Sequence, residues 1–216
     1  MGGALIIGVF ERLGFHLCKK LLEMGYEVGG ISLNPAPDVT EEDMELEIGR
    51  NSNFVKVPLD GDDLHLEKDK AIIFSLYDLY TEGKTPQTGT ERLGEKLEAL
   101  VRLNYHWKSV VLLLPNGLGR GNREAGSIEA IRKAADLAES TAEKVLHVFL
   151  PVPGTPRTIL VQPGNNNTSE TAGRPCGTGD GVPDWEEAAD HIALLIDKGE
   201  TGIRTLEGIY PTLNGR

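Results

Sequence analysis

The chain has 216 residues, 39% of them hydrophobic, with 33 acids against 22 bases for a formal net charge of −11. That length buries a substantial core within one domain without disulfides, and the acidic balance argues against nucleic acid or an anionic membrane as partner, since either wants a basic stripe. With no apolar run long enough to span a bilayer and no basic-then-apolar leader, the expectation is a soluble cytoplasmic protein.

Ala4 to Gly8 reads as a short buried strand. Glu11 to Met24 reads as an amphipathic helix, with Leu13, Leu17, Leu21 and Met24 on one face and Gly25 placed to end it. Tyr26 to Leu33 is a second strand. After the break at Asn34-Pro35-Ala36-Pro37, Thr40 with Asp43 three residues on reads as the cap of a short helix running to about Ile48. Asn53 to Val57 gives a third strand. Lys70 to Leu76 gives a fourth, apolar through Ala71-Ile72-Ile73-Phe74 as a central parallel strand should be. Thr88 and Glu91 form a capping box ahead of a helical stripe at Leu93, Leu97, Leu100 and Val101. Ser109 to Leu114 is the strongest strand of the chain. Ser127 caps a helix in which Ile128, Ile131, Ala135, Ala138 and Ala142 recur at three- and four-residue spacing, and Val145 to Leu150 is a sixth strand. The β-α alternation specifies an α/β protein with a doubly wound parallel sheet.

From about 154 to 183 the texture changes to Gly164-Asn165-Asn166-Asn167 and Gly177-Thr178-Gly179-Asp180-Gly181, a long loop insertion within what reads as a single domain over 1–216. The sequons at Asn166 and Asn167 are chance matches in the absence of a leader. Asp184 with Glu187 caps a last helix carrying Trp185, Ala188, Ala189, Ile192 and Leu195 and ending near Gly199, and Thr201 to Ile209 supplies a final strand.

The opening strand, turn, helix and second strand make the first half of a Rossmann-like nucleotide fold. Its turn needs closely spaced glycines, because a phosphate must approach the backbone and the helix N-terminus. The run here is Gly8-Val9-Phe10-Glu11-Arg12-Leu13-Gly14, with both outer glycines present and Glu11 in the middle. The order and texture of the elements resemble the short-chain dehydrogenase/reductase superfamily, in the extended or atypical branch that includes NAD-dependent epimerases and NmrA-like proteins. Ala4 to Gly14 sits where that branch has its glycine loop. Gly89-Thr90-Glu91-Arg92-Leu93 looks like its Gly-Thr-x-x-Leu helix segment, and Ser109 to Leu114 looks like the strand leading to the catalytic serine. Val182 to Leu195 resembles the late segment where an Asp opens a helix over the substrate side. The resemblance covers nearly the whole chain. It implies an NAD(P)-binding fold, with the cofactor site at Gly8, Phe10, Glu11, Arg12, Gly14 and Ser32.

Three departures bear on that site. Glu11 stands where the family's Gly-x-x-Gly-x-x-Gly has its middle glycine. A carboxylate there repels a pyrophosphate in a partly dry site and obstructs the close approach that glycine permits; as a first-turn acid it suits the helix dipole instead. At the end of the second strand the family holds a ribose with an acid, or a ribose phosphate with a base. This chain has Ser32, with Asn34 beyond it and Asp38 as the nearest substitute acid. The family's Ser-Tyr-Lys relay uses the Lys to bring the Tyr into the working pH range. Its Ser position falls here on Pro115 or Asn116, its Tyr window on Ser127, Ile128, Glu129 and Ala130, and Arg132 and Lys133 follow; no Tyr occurs between Tyr105 and Tyr210.

Ligands in this fold sit beyond the carboxyl ends of the strands. The candidate ligand cleft is therefore Tyr77 and Asp78, with Tyr80 beside them, then Asn116, Arg120, Arg123 and Arg157. The three arginines read either as an anion cluster or as solvated loop residues. His16, His65, His106, His147 and His191 lie in no metal spacing, nor do Cys18 and Cys176, so no metal is expected. The sequence thus reads as a degenerate, non-catalytic member of the superfamily, a pseudoenzyme with a vestigial cofactor site, no cofactor and no catalytic residue. Its work would be binding, regulatory or structural, toward a protein partner or a small-molecule ligand. One alternative is an NAD(P)-dependent reductase or epimerase using a non-standard acid such as Glu129, Asp78 or Tyr77. Another is a small-anion or metabolite sensor built on Arg120, Arg123 and Arg157. The charged outward residues Glu95, Glu98, Arg102, Lys133 and Asp136 favour a monomer.

Overall fold

Apolar runs too short for helices, each followed by a helical stripe, can bury both faces only by pairing in parallel with helices on either side. The computed structural model, which describes residues 2–34, 38–58, 70–81, 90–103, 107–116, 126–152 and 184–206, has this arrangement. In chain order the elements are β1 (Gly3–Ile7), α1 (Arg12–Glu23), β2 (Glu27–Ile31), α2 (Val39–Ile48), β3 (Phe54–Lys56), β4 (Lys70–Ser75) and α3 (Tyr77–Thr81), then α4 (Thr90–Leu103), β5 (Ser109–Pro115), α5 (Gly126–Thr141), β6 (Lys144–Leu150), α6 (Trp185–Asp197) and β7 (Gly202–Thr205). The seven strands form one sheet in the order β3-β2-β1-β4-β5-β6-β7, and every neighbouring pair is parallel. At the carboxyl end of β1, Ile7 lies opposite Ile31 on one side and Phe74 on the other.

Alternation along the strands divides the core between two layers. Ala4 and Ile6 face the layer that holds Leu13, Leu17 and Leu21 of α1 and Ala188 and Ile192 of α6. Leu5 and Ile7 face the layer that holds Leu97, Leu100 and Val101 of α4 and Ile131, Ala135 and Ala138 of α5. Helices α4 and α5 cross closely at Gly94, where a Cβ would come within 2.4 Å of the Ala130 Cβ. Cys18 is wholly buried in the first layer, and burial pushes its thiol up to about 12, as expected of a small apolar filler. None of the described helices is long and apolar enough to cross a membrane.

The expected strand limits hold to within two residues wherever both ends are described. The caps fare less evenly. Asp184 does cap α6, accepting from the Glu186 and Glu187 N–H groups. The cap of α2 is Asp38 rather than Thr40: its extended backbone places the carboxylate 2.9 Å from the Glu41 N–H, so the helix starts earlier. Helix α5 begins at Gly126, which puts Ser127 inside it rather than at its cap. The turn of helix at α3 was not anticipated, because Tyr77 to Thr81 has no stripe long enough to read. The Thr88 capping box, the 154–183 insertion and Cys176 lie outside the described residues; the final strand stops at Thr205, with Leu206 already out of it, and only the expected stretch 207–209 is outside them.

Two glycines govern the β1–α1 turn. Gly8 has φ +85°, a left-handed conformation that side chains disfavour. A Cβ on Gly14 would fall 2.0 Å from the Gly8 carbonyl oxygen, against rigid backbone. Replacing Gly14 by Ala is therefore expected to cost at least about 3 kcal/mol or to abolish folding, and Gly8→Ala about 1–2 kcal/mol. Urea denaturation midpoints decide this; an unchanged midpoint for Gly14→Ala would mean that the turn is looser than described.

Candidate functional site

Connections from β1 and β4 leave the sheet in opposite directions, so a crevice opens between their carboxyl ends, at the topological switch point where such folds take ligands. One wall is the β1–α1 turn. Its N–H groups are largely engaged within the chain: Gly8 and Val9 donate to the Ile31 carbonyl at 2.9 and 3.2 Å, and Glu11 donates to the Gly8 carbonyl at 3.1 Å. Glu11 is the N-cap residue of α1, in ordinary extended conformation, and its side chain makes no capping hydrogen bond.

The other wall starts directly after β4. Asp78, on the first turn of α3, is 1% exposed, and its Oδ2 accepts a 2.9 Å hydrogen bond from the Leu13 N–H. A helix N-terminus leaves its first N–H groups without intrahelical partners and favours negative charge. Asp78 supplies both an acceptor and a charge across 65 residues of sequence. Beside it Tyr77, also 1% exposed, donates its hydroxyl to the Pro151 carbonyl at 2.6 Å. Its ring meets Trp185 edge-on at 5.4 Å, and the Arg12 guanidinium lies 5.7 Å over the same Trp185 ring. Ser75, the last residue of β4, is wholly buried beneath Gly14, and its hydroxyl has no hydrogen-bond partner among the described residues.

At the β2 end, the Ser32 hydroxyl donates to the Asn34 carbonyl at 3.1 Å and accepts from the Asn34 N–H at 3.0 Å, closing a local turn. Phe10 is buried, with the Lys56 ammonium 5.2 Å over its ring. Asn116, directly after β5, is half-buried, its backbone N–H donating to the Leu150 carbonyl. The structure thus places Phe10, Glu11, Arg12 and Gly14 after β1 and Tyr77 and Asp78 after β4, with Leu13 and Asp78 in direct contact. Arg120, Arg123 and Arg157 lie outside the described residues. Around the expected relay, Pro115 ends β5 and Ile128 is buried, while Arg132 pairs with Asp136 and Lys133 with Glu129 on the surface of α5. No three His, Cys, Asp or Glu side chains gather as a metal site among the described residues. A shallow hollow between α1 and α6 is lined by His16, Lys19, Lys20, Glu23, Glu186 and Asp190. Two lysines there face three carboxylates, and burial lowers the His16 pKa, favouring the neutral ring.

No protein-family model matches the sequence, and no curated protein matches it. Solved structures do. AtPrR2, a structure with NADP+ and (+)-pinoresinol, superposes with a TM-score of 0.55 at 15% identity, covering 97% of this chain and 72% of that one. The Lmo0794 protein from Listeria monocytogenes gives a TM-score of 0.52 at 13% identity, over 96% of this chain and 100% of that one. A carbonyl reductase from Pseudomonas aeruginosa PAO1 in complex with NADP gives a lower TM-score of 0.48 at 14% identity. This is a Rossmann-like α/β fold. At such identities the likeness is one of architecture, and the residues of the site speak for themselves.

Sequence reasoning placed Asp78 near the crevice without its contact. An Asp two residues past an apolar run looks the same whether it faces a ligand or a helix end. Trp185 was read only as part of a helical stripe. Replacing Asp78 by Ala is expected to cost about 1–3 kcal/mol, since it leaves a buried N–H without its acceptor, whereas Asp78→Asn, which keeps an acceptor, costs less. Tyr77→Phe should cost about 1 kcal/mol. Denaturation curves for the three variants check this order; equal losses for Asp78→Asn and Asp78→Ala would place the worth of Asp78 in its charge alone.

Proposed function

We propose that this chain is an atypical member of the short-chain dehydrogenase/reductase superfamily that has kept the scaffold and replaced the cofactor's pyrophosphate with a carboxylate of its own. It acts as a binding or regulatory protein and not as an oxidoreductase. The observation that carries this reading is the hydrogen bond from the Leu13 N–H to Asp78. A dinucleotide in this fold rests its pyrophosphate on the N-terminus of the first helix. Asp78 and a pyrophosphate oxygen cannot both take that N–H, and two like charges in a partly dry crevice repel by several kcal/mol on the order-of-magnitude scale for close charges. The relay positions hold no Tyr: they fall on Pro115 or Asn116 and on Ser127, Ile128, Glu129 and Ala130, and Arg132 and Lys133 are held in ion pairs with Asp136 and Glu129. Its counterpart is a protein partner or a small-molecule ligand; a net charge of −11 makes nucleic acid or an anionic membrane a poor match.

A second reading is an NAD(P)-dependent reductase or epimerase with a non-standard acid. It is favoured by the fold shared with AtPrR2, which holds NADP+, and by the buried Ser75 hydroxyl left without a partner at the crevice floor. On that reading Asp78 withdraws when the cofactor enters, and the expectation of no cofactor fails.

Titration with NADH and NADPH, followed by nicotinamide fluorescence and melting temperature, separates the two. The first reading expects no dissociation constant below about 100 μM, equivalent to about 5.5 kcal/mol, and at least about a tenfold gain in affinity when Glu11→Gly and Asp78→Ala are combined. Wild-type binding tighter than that, with stabilisation by mass action, overturns the first reading in favour of the second.

A further inference from the structure

Glu41 lies in the first turn of α2 and is 6% exposed. Its Oε1 is buried and makes no hydrogen bond among the described residues. Four polar groups at α2, β2 and β3 act on its carboxyl: Ser32, Lys56, Asp38 and Glu45. On β3, Lys56 is ion-paired with Glu45 and stacked over Phe10. At the end of β2, the Ser32 hydroxyl donates to the Asn34 carbonyl. On α2 itself, Asp38 caps the helix through the Glu41 backbone N–H, which holds a second carboxylate close by. At Oε1 the carboxyl has given up its water without a replacement. Burial accordingly pushes the Glu41 pKa above the usual range; Ser32 and Lys56 draw it back, and Asp38 and Glu45 raise it further.

We infer that Glu41 is a pH-sensitive switch at the β2 edge of the crevice: protonated, it holds the first turn of α2 against the ends of β2 and β3, and ionised, it loosens that edge. The direction follows from linkage. The folded state binds this proton more tightly than the unfolded state does, so the stabilisation is present at and below the ordinary glutamate range and is lost as pH rises through the folded value. Lys56 cannot cancel the ionised form fully, because Glu45 already shares it. The inference does not depend on whether the crevice admits a dinucleotide.

The test is amide hydrogen exchange across Val39–Ile48 from pH 4 to 8, corrected for the intrinsic chemical rate, in the wild type and in Glu41→Gln. The opening constant of α2 is expected to rise over that range in the wild type, as the raised pKa requires, and to stay flat in Glu41→Gln. Glu45→Gln, which releases Lys56 toward Glu41, is expected to reduce the rise. A parallel rise in wild type and Glu41→Gln overturns the inference. Should Glu41→Gln fail to fold, the carboxyl carbon shift of Glu41 in the wild type decides: titration in the ordinary glutamate range overturns it, and titration above that range supports it.

Discussion

The approach of α1 to the end of β1 sets the terms for the rest of the molecule. With no side chain on Gly14, the helix lies directly against the Gly8 carbonyl, and the left-handed turn at Gly8 lets the chain double back within a few residues. That docking puts Leu13, Leu17 and Leu21 into the core they share with α6. It also brings the N-terminus of α1 to the mouth of β4, where Asp78 is waiting. Had α1 been held further out, the helix end would meet solvent and Asp78 would lose its hydrogen bond from the Leu13 N–H.

The three positions of the loop motif have separable jobs in folds of this kind: the first glycine turns the chain, the third lets helix and strand pack, and the second admits a phosphate to the backbone. This chain retains glycine at the two positions that serve its own packing and carries Glu11 at the one that serves a ligand. Glu11 adopts a backbone conformation open to any residue, so nothing in the fold itself demands a glycine there. The N-terminus of α1 still needs an acceptor whatever the ligand, and the carboxylate of Asp78 provides one from within. Tyr77, Trp185 and Arg12 then stack alongside, tying the start of α6 to the same spot.

Much of this architecture was legible because it rests on local periodicity. Runs such as Ala71 to Phe74 and Val110 to Leu114 can only be buried strands, and the stripe from Leu13 to Leu21 can only be a helix face. The loop departure at Glu11 was equally plain, being a matter of one side chain on one position. What stayed hidden depends on contacts between residues far apart in the chain. Asp78 reaches Leu13 only because β1 and β4 are neighbours in the sheet, which chain order does not reveal. Glu41 looked like one acid among several at the start of α2; that it points inward while Glu42 and Asp43 do not follows from Asp38 setting the helix start.

Because Asp78 is fastened to β4, it does not come and go like a solute. A group held by a rigid tether presents itself at an effective concentration that even short flexible linkers bring to roughly millimolar, and a buried turn of helix confines it more closely. Any phosphate entering the crevice competes with an acceptor that is never diluted. On the proposed reading this sets a threshold: an anion arriving on its own would compete with the tethered carboxylate for the Leu13 N–H, whereas a larger ligand or a partner that first drew α3 aside would find the helix end newly available.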